Sequence, residues 1–436
     1  MADLSINFAG IKSPNPFWVA SAPPSNTAYQ CHRAFEAGWG GVVWKTIGEP
    51  ILNVSSRYSS HTINGTRMAG FNNIELISDR SIETNFREIK DCAEAWPDRA
   101  VIASLMTDTR ENWHEMMQRA VDSGAAGVEL NFGCPHGMCE RGMGSAVGQN
   151  PDVMETIVGW VMEVAQLPVI VKLTPNITDV TIPARAAKRA GANAISLINT
   201  INSITKVDLD RLIPEPYVDG KSAHGGYCGP AVKPIALNML ENCASDHEVN
   251  LPISGIGGIS NWRDAAEFIA LGSGSVQVCT AIMHYGFRIV EDMIEGLSDY
   301  LESKGMHSIT ELQGKALKTV DRWENLNLNY KRIAAIDYDS CIGCNLCFVA
   351  CEDGAHQAIA LSDAGVRGLG PGRLPGKPIP EIKETECVGC NLCSIVCPVE
   401  NCITMVDVDT GKEAMSWKNY QEGLNAGTIP KIPAHH

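Results

Sequence analysis

The sequence has no excess of basic residues. Its 35 Lys and Arg stand against 50 Asp and Glu, which gives a formal net charge of -15 and a pI near 5.2. A surface for nucleic acid or for an anionic membrane needs clustered Lys and Arg. The sequence also lacks a run of about 18 apolar residues, the length that a membrane helix requires, and a basic start followed by an apolar stretch. We therefore expect a cytoplasmic protein with no nucleic-acid or membrane partner.

Two nucleotide-binding motifs are also absent. The chain contains neither GxGxxG, the glycine pattern of Rossmann-type dinucleotide sites, nor GxxxxGK[ST], the P-loop. A nicotinamide site of the Rossmann type is therefore not expected. If the protein performs redox chemistry, its electrons must come from a partner.

The cysteines are unevenly distributed. Nine of the 16 lie between residues 341 and 402, and eight of these nine form two CxxCxxCxxxC runs, at 341–351 and 387–397. This spacing is typical of ferredoxins with two [4Fe–4S] clusters, in which the fourth cysteine of each run ligates the other cluster. The alternative is structural zinc, which needs only four ligands. The predicted ligand sets are Cys341, Cys344, Cys347 and Cys397, and Cys387, Cys390, Cys393 and Cys351. Cys402 is left over, and we expect it to be a buried thiol.

Short apolar stretches alternate with amphipathic segments before the cysteine-rich part. Eight βα units within about 300 residues predict a (β/α)8 TIM barrel, whose active site lies at the C-terminal ends of the strands. An open doubly wound sheet is the alternative. We predict a barrel domain over 1–325 and a small bacterial-type ferredoxin domain over 326–436. The predicted strands are 17–21, 41–46, 101–105, 127–132, 169–174, 194–199, 252–257 and 275–280.

The ends of these predicted strands carry polar and glycine residues. The glycine pair after the seventh strand and the small residues after the eighth suit a phosphate cradle, because backbone N–H groups can approach the anion closely. A lysine in the barrel mouth needs a counter-charge, which a reduced, anionic flavin would provide; a surface salt bridge is the alternative. The strand-end residues are Lys45, Thr46, Asn131, Lys172, Asn199, Thr200, Gly257, Gly258, Thr280 and Ala281.

Several phrases resemble a known family. "NNIELIS", "CPHGMCERGMG", "VKLTPN", "GGYCGPAVKPIAL" and "VQVCTAI" are similar to the FMN domain of dihydropyrimidine dehydrogenases. Nearly the whole chain resembles the bacterial PreA-type subunit of that family, an FMN barrel followed by a two-cluster ferredoxin domain. The resemblance implies reversible reduction of uracil or thymine to the 5,6-dihydropyrimidine. It also implies an FAD- and NAD(P)H-binding PreT-type partner in a heterotetramer.

The resemblance also implies roles for individual residues. FMN delivers hydride to C6 of the pyrimidine and the Cys134 thiol delivers a proton to C5, with His136 placed to tune or re-protonate the thiol. The implied pyrimidine-binding residues are Asn73, Glu75, Asn131, Asn199 and Thr200. The implied FMN-binding residues include most of the strand-end residues. They are Ala20, Ser21, Lys45, Thr46, Asn131, Lys172, Gly229, Gly257, Gly258, Thr280 and Ala281.

The chain departs from the family pattern at two loop positions. Gly133 stands where the family often has serine, and Cys139 adds a second thiol to the loop that carries Cys134. Three other hypotheses stay open. Cys134 acts as a covalent nucleophile with His136 as its base; the chain is an electron-transfer or scaffold subunit without barrel chemistry; or it is a dihydroorotate dehydrogenase-like FMN and Fe–S enzyme.

Overall fold

Eight parallel strands form a closed barrel in the first part of the chain, in sequence order around the barrel. The computed structural model describes residues 2–63, 65–135, 138, 142–362 and 378–430. Contacts divide the chain into two compact units between Thr319 and Val320. The predicted TIM barrel is confirmed, and the open sheet is excluded. The barrel strands are β1 (Phe17–Val19), β2 (Gly41–Val43), β3 (Ala100–Leu105), β4 (Gly127–Asn131), β5 (Val169–Lys172), β6 (Ala194–Leu197), β7 (Ile253–Ile256) and β8 (Ser273–Val278).

Helices lie between the barrel strands and cover their outer faces. Several helices end at a glycine with positive φ, as in Gly38 (φ 113°), Gly124 (φ 70°), Gly191 (φ 95°) and Gly272 (φ 105°), a conformation that glycine adopts without a steric penalty. Each of these glycines lies in a glycine-containing segment just before a barrel strand. The four segments are "EAGWGG", "DSGAAG", "RAGANA" and "ALGSGS". The helices are Ala28–Ala37, Ile82–Ala95, Arg110–Asp122, Ser145–Gly148, Pro151–Met162, Thr181–Arg189, Lys233–Ser245, Trp262–Ala270, Thr280–Tyr285 and Ile289–Ser303, with 3-10 turns at Pro23–Ser25, Pro230–Val232, Ile309–Glu311 and Leu317–Thr319.

The barrel interior is apolar near its N-terminal end. A hairpin of Ile6–Phe8 and Ile11–Ser13 precedes β1, and its Phe8 and Ile11 pack into a cluster with residues from the barrel strands, among them Trp18. Every residue of β3 to β7 is buried. Near-continuous apolar runs are expected when helices cover a parallel sheet.

An antiparallel sheet, which the sequence did not predict, is inserted after β2 and β6. It contains four strands, Tyr58–Ile63, Thr66–Asn73, Ile201–Ser203 and Gly225–Cys228. Gly225–Cys228 lies in the middle and pairs with Ile201–Ser203 on one side and with Thr66–Asn73 on the other. The sheet carries residues of two distant segments to the barrel mouth. Two further hairpins lie between its strands, at Lys206–Asp208 with Ile213–Glu215 and at Tyr217–Val218 with Lys221–Ser222.

The second unit is built from two antiparallel strand pairs and short helices. Lys331–Ile336 pairs with Ile403–Val408, and Ile359–Ser362 pairs with Ile379–Ile382. The helices are Leu346–Gly354, Leu392–Ile395 and Trp417–Asn425, with a 3-10 turn at Trp323–Asn325. No helix in the described part of the chain is long and apolar enough to cross a membrane.

Candidate active site

A cleft of about 1110 Å³, open to solvent, lies at the C-terminal end of the barrel. All the described residues that the sequence proposed for flavin or pyrimidine line it. His136 and Cys139 lie outside the described residues. The cleft is lined by Ala20, Ser21, Lys45, Thr46, Asn73, Glu75, Asn131, Cys134, Lys172, Asn199, Thr200, Gly229, Gly257, Gly258, Thr280 and Ala281, and also by residues that the sequence did not suggest, including Phe71, Ile198, Cys228, Gln277 and Cys279.

All barrel strands except β3, which ends at Leu105 as predicted, end earlier at the barrel mouth than predicted. Asn131 and Lys172 are the last residues of β4 and β5 and face each other in register. Lys45 and Thr46, by contrast, follow β2, and Asn199 and Thr200 follow β6, so the prediction that they end strands was wrong. The chain leaves the regular ladder there: the amide of Lys45 donates to the Ser25 carbonyl at 2.9 Å. The side chains still point into the cleft.

Three carboxamides of the cleft are held with their oxygens occupied by protein donors. Asn131 Oδ1 accepts from Asn199 Nδ2 at 2.9 Å and from the Gly133 amide at 3.2 Å. Asn199 Oδ1 accepts from the Thr200 amide at 2.8 Å, and Asn73 Oδ1 accepts from the Glu75 amide at 2.5 Å. The Asn131 Nδ2 group already donates to Thr46 Oγ1 at 2.9 Å, and the Asn199 Nδ2 group to Asn131 Oδ1, so each keeps one further N–H for a ligand. An N–H donor suits a carbonyl oxygen.

Glu75 is the centre of a buried charged network. Its carboxylate pairs with Lys45 and accepts a hydrogen bond from the Tyr58 hydroxyl, while the Arg57 guanidinium lies 3.4 Å away. Burial alone raises the pKa of the Glu75 carboxyl, but Lys45, Tyr58 and Arg57 together hold that pKa below its ordinary value. Burial, and then the bond to Glu75, raises the pKa of Tyr58, so the phenol stays a donor.

The second lysine of the cleft also has a protein counter-charge. Lys172 Nζ lies 3.5 Å from Oε1 of Glu129, whose side chain is fully buried. The need for a counter-charge at these lysines therefore does not by itself indicate a reduced flavin. Lys45 and Lys172 are each matched by a carboxylate. The signal in the sequence was the acidic residue inside an apolar strand, "GVELN".

Glycines form a close-approach surface beside the strands β7 and β8. Gly257 and Gly258 have φ values of 127° and 77°, and a Cβ atom on Gly258 would lie 2.9 Å from the Gly229 carbonyl oxygen. The nearby floor of the cleft contains Gln277, whose buried Oε1 has no hydrogen-bond partner. A backbone surface open to a phosphate, an unused buried acceptor and two lysines fit flavin mononucleotide.

Cys134 lies at the edge of the cleft, after β4. Its carbonyl accepts from the Ser145 amide at 3.0 Å, and a Cβ atom on Gly144, which has φ 60°, would lie 2.8 Å from that carbonyl oxygen. The loop therefore depends on glycine at 144. Two further thiols line the cleft, at Cys228 and Cys279. Burial raises the pKa of both, that of Cys228 to about 11, so both stay neutral thiols at pH 7.

The cysteine runs of the second unit surround two cavities. One, of about 350 Å³, is lined by Cys387, Cys390, Cys393 and Cys351. The other, of about 320 Å³, is lined by Cys341, Cys344, Cys347 and Cys397, and also by the buried Cys402. Each cavity thus takes three cysteines of one run and the last cysteine of the other, which is the predicted arrangement. Among the described residues, no three His, Cys, Asp or Glu are close enough to hold a single metal ion.

Backbone amides point at two of the cavity-lining sulfurs. The amide of Ala358 donates to Cys351 Sγ at 3.3 Å, and that of Ala334 donates to Cys387 Sγ at 3.5 Å. Hydrogen bonds to cluster sulfurs are one of the means by which proteins set cluster potentials. The two amides act on the same cavity.

A family model described as dihydroorotate dehydrogenase matches residues 3–301. The chain belongs to the dihydroorotate dehydrogenase family. A second model, described as a 4Fe-4S dicluster domain, matches residues 334–405. The family binds FMN, and the dicluster domain carries two [4Fe–4S] clusters, so the cofactors expected from the sequence are confirmed and structural zinc is excluded. The chain is therefore a flavin-dependent and iron–sulfur oxidoreductase, not an inert scaffold.

Within the dihydroorotate dehydrogenase family, the chain is similar to two dihydropyrimidine dehydrogenases. It is 44% identical over 363 residues to the NAD-dependent dihydropyrimidine dehydrogenase subunit PreA of Escherichia coli (strain K12), covering 83% of this chain and 88% of the relative. It is 42% identical over 329 residues to the chloroplastic dihydropyrimidine dehydrogenase (NADP(+)) of Arabidopsis thaliana, covering 72% and 77%. The resemblance stated from the sequence is confirmed.

A solved structure shares the barrel fold. The dihydroorotate dehydrogenase of Eimeria tenella, in complex with ferulenol, superimposes with a TM-score of 0.59 at 18% identity, covering 72% of this chain and 88% of that one. At this identity the likeness concerns the fold alone.

Proposed function

We propose that the chain reduces the C5–C6 double bond of uracil or thymine, reversibly, as the pyrimidine-reducing subunit of an NAD(P)H-dependent dihydropyrimidine dehydrogenase. The observation that carries this proposal is the convergence of Asn73, Asn131 and Asn199 on one cleft with Cys134 at its edge. A flat imide with two carbonyl oxygens can accept from the second N–H of the Asn131 and Asn199 carboxamides and from the Asn73 carboxamide.

Cys134 supplies the proton in this proposal. When bound, FMN supplies a hydride for C6 of the pyrimidine, and the carbanion character that develops at C5 needs an acid on the other face. Cys134 is the cleft thiol on the loop after β4, whereas the Cys228 thiol donates to the Phe71 carbonyl oxygen at 3.4 Å and accepts from Thr280 Oγ1 at 3.3 Å, so its proton is engaged within the protein. His136 is placed two residues from Cys134 to return the proton, a role that its position in sequence alone supports.

The cofactor positions follow from the same cleft. Gly229, Gly257 and Gly258, with Thr280 and Ala281, are proposed to hold the FMN phosphate. Lys45, Thr46 and Lys172, with Ala20 and Ser21, are proposed to surround its ring system. In the second unit, each cavity with its four crossed cysteines is proposed to hold one [4Fe–4S] cluster.

Electrons are proposed to reach FMN through these clusters from a cytoplasmic FAD- and NAD(P)H-binding subunit of the PreT type, in a heterotetramer. The absence of GxGxxG and P-loop motifs from the sequence supports a separate nicotinamide site. The domain boundary near 325 is proposed to separate pyrimidine chemistry from electron delivery.

Dihydroorotate dehydrogenation is the second candidate, because the family model bears that name. Orotate differs from uracil by a carboxylate on C6, which needs a cation in the site. The two lysines among the described lining residues of the cleft are already paired with Glu75 and Glu129. The carboxylate of orotate would add a third negative charge beside these two positive ones. A neutral pyrimidine therefore fits this cleft better than orotate.

One experiment separates the candidates. The protein is purified anaerobically and reduced chemically, and the 450 nm flavin absorbance is followed after addition of uracil, thymine or orotate. We expect reoxidation by uracil or thymine and none by orotate. Reoxidation by orotate alone would move the assignment to dihydroorotate chemistry. A protein without flavin, or reduced flavin that no pyrimidine reoxidises, would overturn the proposal.

A further inference from the structure

The layer of barrel side chains beneath the cleft, here called the polar floor, contains polar residues. The layers that usually fill a TIM barrel are aliphatic. Within the strands, Ser104, Glu129, Ser196, Ser254 and Gln277 are each at most 1% exposed. A buried carboxylate is unfavourable unless charges and hydrogen bonds compensate for its lost hydration. The polar floor therefore needs a reason beyond packing.

Glu129 links four strands of the floor. Its Oε2 accepts from Ser196 Oγ at 2.8 Å and from Gln277 Nε2 at 3.1 Å. Its Oε1 has no hydrogen bond and faces Lys172 Nζ at 3.5 Å. Glu129 itself does not line the cleft, but Lys172 and Gln277 do. Any effect of Glu129 on a ligand in the cleft therefore acts through these two residues.

The orientation of the Gln277 carboxamide follows from this contact. Its Nε2 donates to Glu129 and, at 3.2 Å, to Ser254 Oγ. Because a carboxylate can only accept, the amide nitrogen must face Glu129, and the amide oxygen must face away from it. That oxygen has no partner in the protein. It is a buried acceptor whose orientation is fixed by the bond of Nε2 to Glu129.

We propose that Glu129 is a positioning residue for FMN, which fixes Lys172 and Gln277 and offsets the lysine's positive charge so that bound FMN keeps a low reduction potential. The inference rests on FMN as the barrel cofactor. A lysine beside the flavin favours its reduced, negatively charged form. An unopposed lysine would stabilise that form strongly, and the reduced flavin would then be a weaker hydride donor to a pyrimidine. The carboxylate beneath Lys172 limits this stabilisation.

The test compares wild-type protein with the Glu129→Gln variant, both as the full chain with its cofactors. The Gln side chain keeps the size and removes the charge. The potential of bound FMN is measured by anaerobic dye titration at 450 nm. Both half-reactions are then followed, uracil with reduced protein and dihydrouracil with oxidised protein.

We expect Glu129→Gln to raise the FMN potential. Uracil should reoxidise the reduced flavin several times more slowly, while dihydrouracil should reduce the oxidised flavin no more slowly than in the wild type. The reason is that a higher flavin potential shifts the equilibrium towards reduced flavin and uracil. A merely structural defect would slow both half-reactions and leave their ratio unchanged. The Ser273→Ala variant is the matched control. Ser273 is fully buried in the same barrel and bonds to Gly255, Ile253 and Ser275 but not to Glu129.

The Glu129→Asp variant keeps the negative charge and provides a second test if Glu129→Gln fails to fold. Glu129→Asp shortens the side chain by one methylene and so lengthens the contact to Lys172, and the potential should rise by less than in Glu129→Gln. An unchanged or lowered potential in a variant that binds FMN would overturn the inference. If the wild-type flavin has a measurable potential but no pyrimidine reoxidises it, the proposed function fails and the potential comparison still decides the role of Glu129.

Discussion

Gly133 lies directly against the side chain of Asn199. A Cβ atom on Gly133 would stand 2.4 Å from Asn199 Cβ and 2.5 Å from its Nδ2, so the asparagine fills the space that a side chain at 133 would take. The departure from the family's serine is thus coupled to Asn199, one of the residues proposed to bind the pyrimidine. In this chain the two residues have to be considered together.

Gly133→Ala should therefore weaken pyrimidine binding. The added methyl group displaces Asn199, which loses its hydrogen bond to Asn131, and a bond of this kind contributes about 1 kcal/mol. We expect an increase of several-fold to about tenfold in KM for uracil, with FMN content unchanged. Gly159→Ala is the control, because no atom lies within 4 Å of a Cβ there. A wild-type KM in Gly133→Ala would show that Asn199 does not bind the substrate.

Cys134→Ala should slow reoxidation of reduced flavin by uracil about 10²- to 10⁴-fold, the usual contribution of a positioned acid. FMN should remain bound, since the thiol lies at the edge of the cleft. Rapid-mixing absorbance at 450 nm measures the rate. Cys139→Ala is the comparison and should keep a rate near that of the wild type. The reverse result would assign the proton to Cys139.

Glu75→Gln should destabilise the barrel most at neutral pH. The folded pKa of Glu75 is lowered, so its stabilising contribution is present above the unfolded value of about 4.3 and is lost as the pH falls through the folded pKa. Breaking a buried pair of this kind costs about 3 kcal/mol.

The midpoint of urea-induced FMN release should therefore differ most between wild type and Glu75→Gln at pH 7. The difference should narrow only below about pH 4.3. Glu163→Gln removes an exposed partner of Arg110 and should leave the midpoint unchanged. A difference that stays constant down to pH 3 would contradict the assigned ion pair with Lys45.

Gly258→Ala should impair FMN binding. The residue has φ 77°, and its Cβ would lie 2.8 Å from Lys233 Cβ and 2.9 Å from the Gly229 carbonyl oxygen, so the proposed phosphate surface must move. We expect a purified variant with little bound FMN and a Kd for added FMN at least tenfold higher, measured by quenching of flavin fluorescence. Unchanged affinity would place the phosphate elsewhere in the cleft.

Cys397→Ser should remove the cluster held by the first cysteine run. Cys397 belongs to the second run but lines the cavity of Cys341, Cys344 and Cys347. Iron analysis should find about four Fe per chain instead of about eight. Cys402→Ser tests the other thiol of that cavity and should keep both clusters. Loss of iron in Cys402→Ser but not in Cys397→Ser would make Cys402 the fourth ligand.

The barrel was predictable because local chemistry decides its elements. Buried parallel strands have a continuous apolar composition, and the helices between them end at glycines such as Gly38 with positive φ. The cysteine spacing similarly predicts which thiols share a cavity. The inserted sheet was missed because strands such as Tyr58–Ile63 are largely exposed and polar. In addition, the pairing that joins its two hairpins, between Gly225–Cys228 and Thr66–Asn73, links segments more than a hundred residues apart.

The residues of the cleft were predictable as a set, but their mutual contacts were not. Lys45 and Lys172 stand out as charged residues near strand ends, yet their carboxylate partners come from other segments, Glu75 from the inserted region and Glu129 from β4. Gln277 lies between two valines in "SVQVCT" and gives no local sign of an unused acceptor. Such pairings depend on how the barrel closes, which no single segment specifies.

The crossed cysteines of the second unit determine when a nascent chain can acquire iron. The cavity lined by Cys341, Cys344 and Cys347 is closed by Cys397, and the other cavity needs Cys351 from the first run. The cage that includes Cys351 has its four cysteines only after the ribosome has passed residue 393, and the other cage only after residue 397. Because metal binding and folding are coupled in such small domains, the barrel can fold first during synthesis, whereas the electron-carrying unit matures only after the second cysteine run has been synthesised.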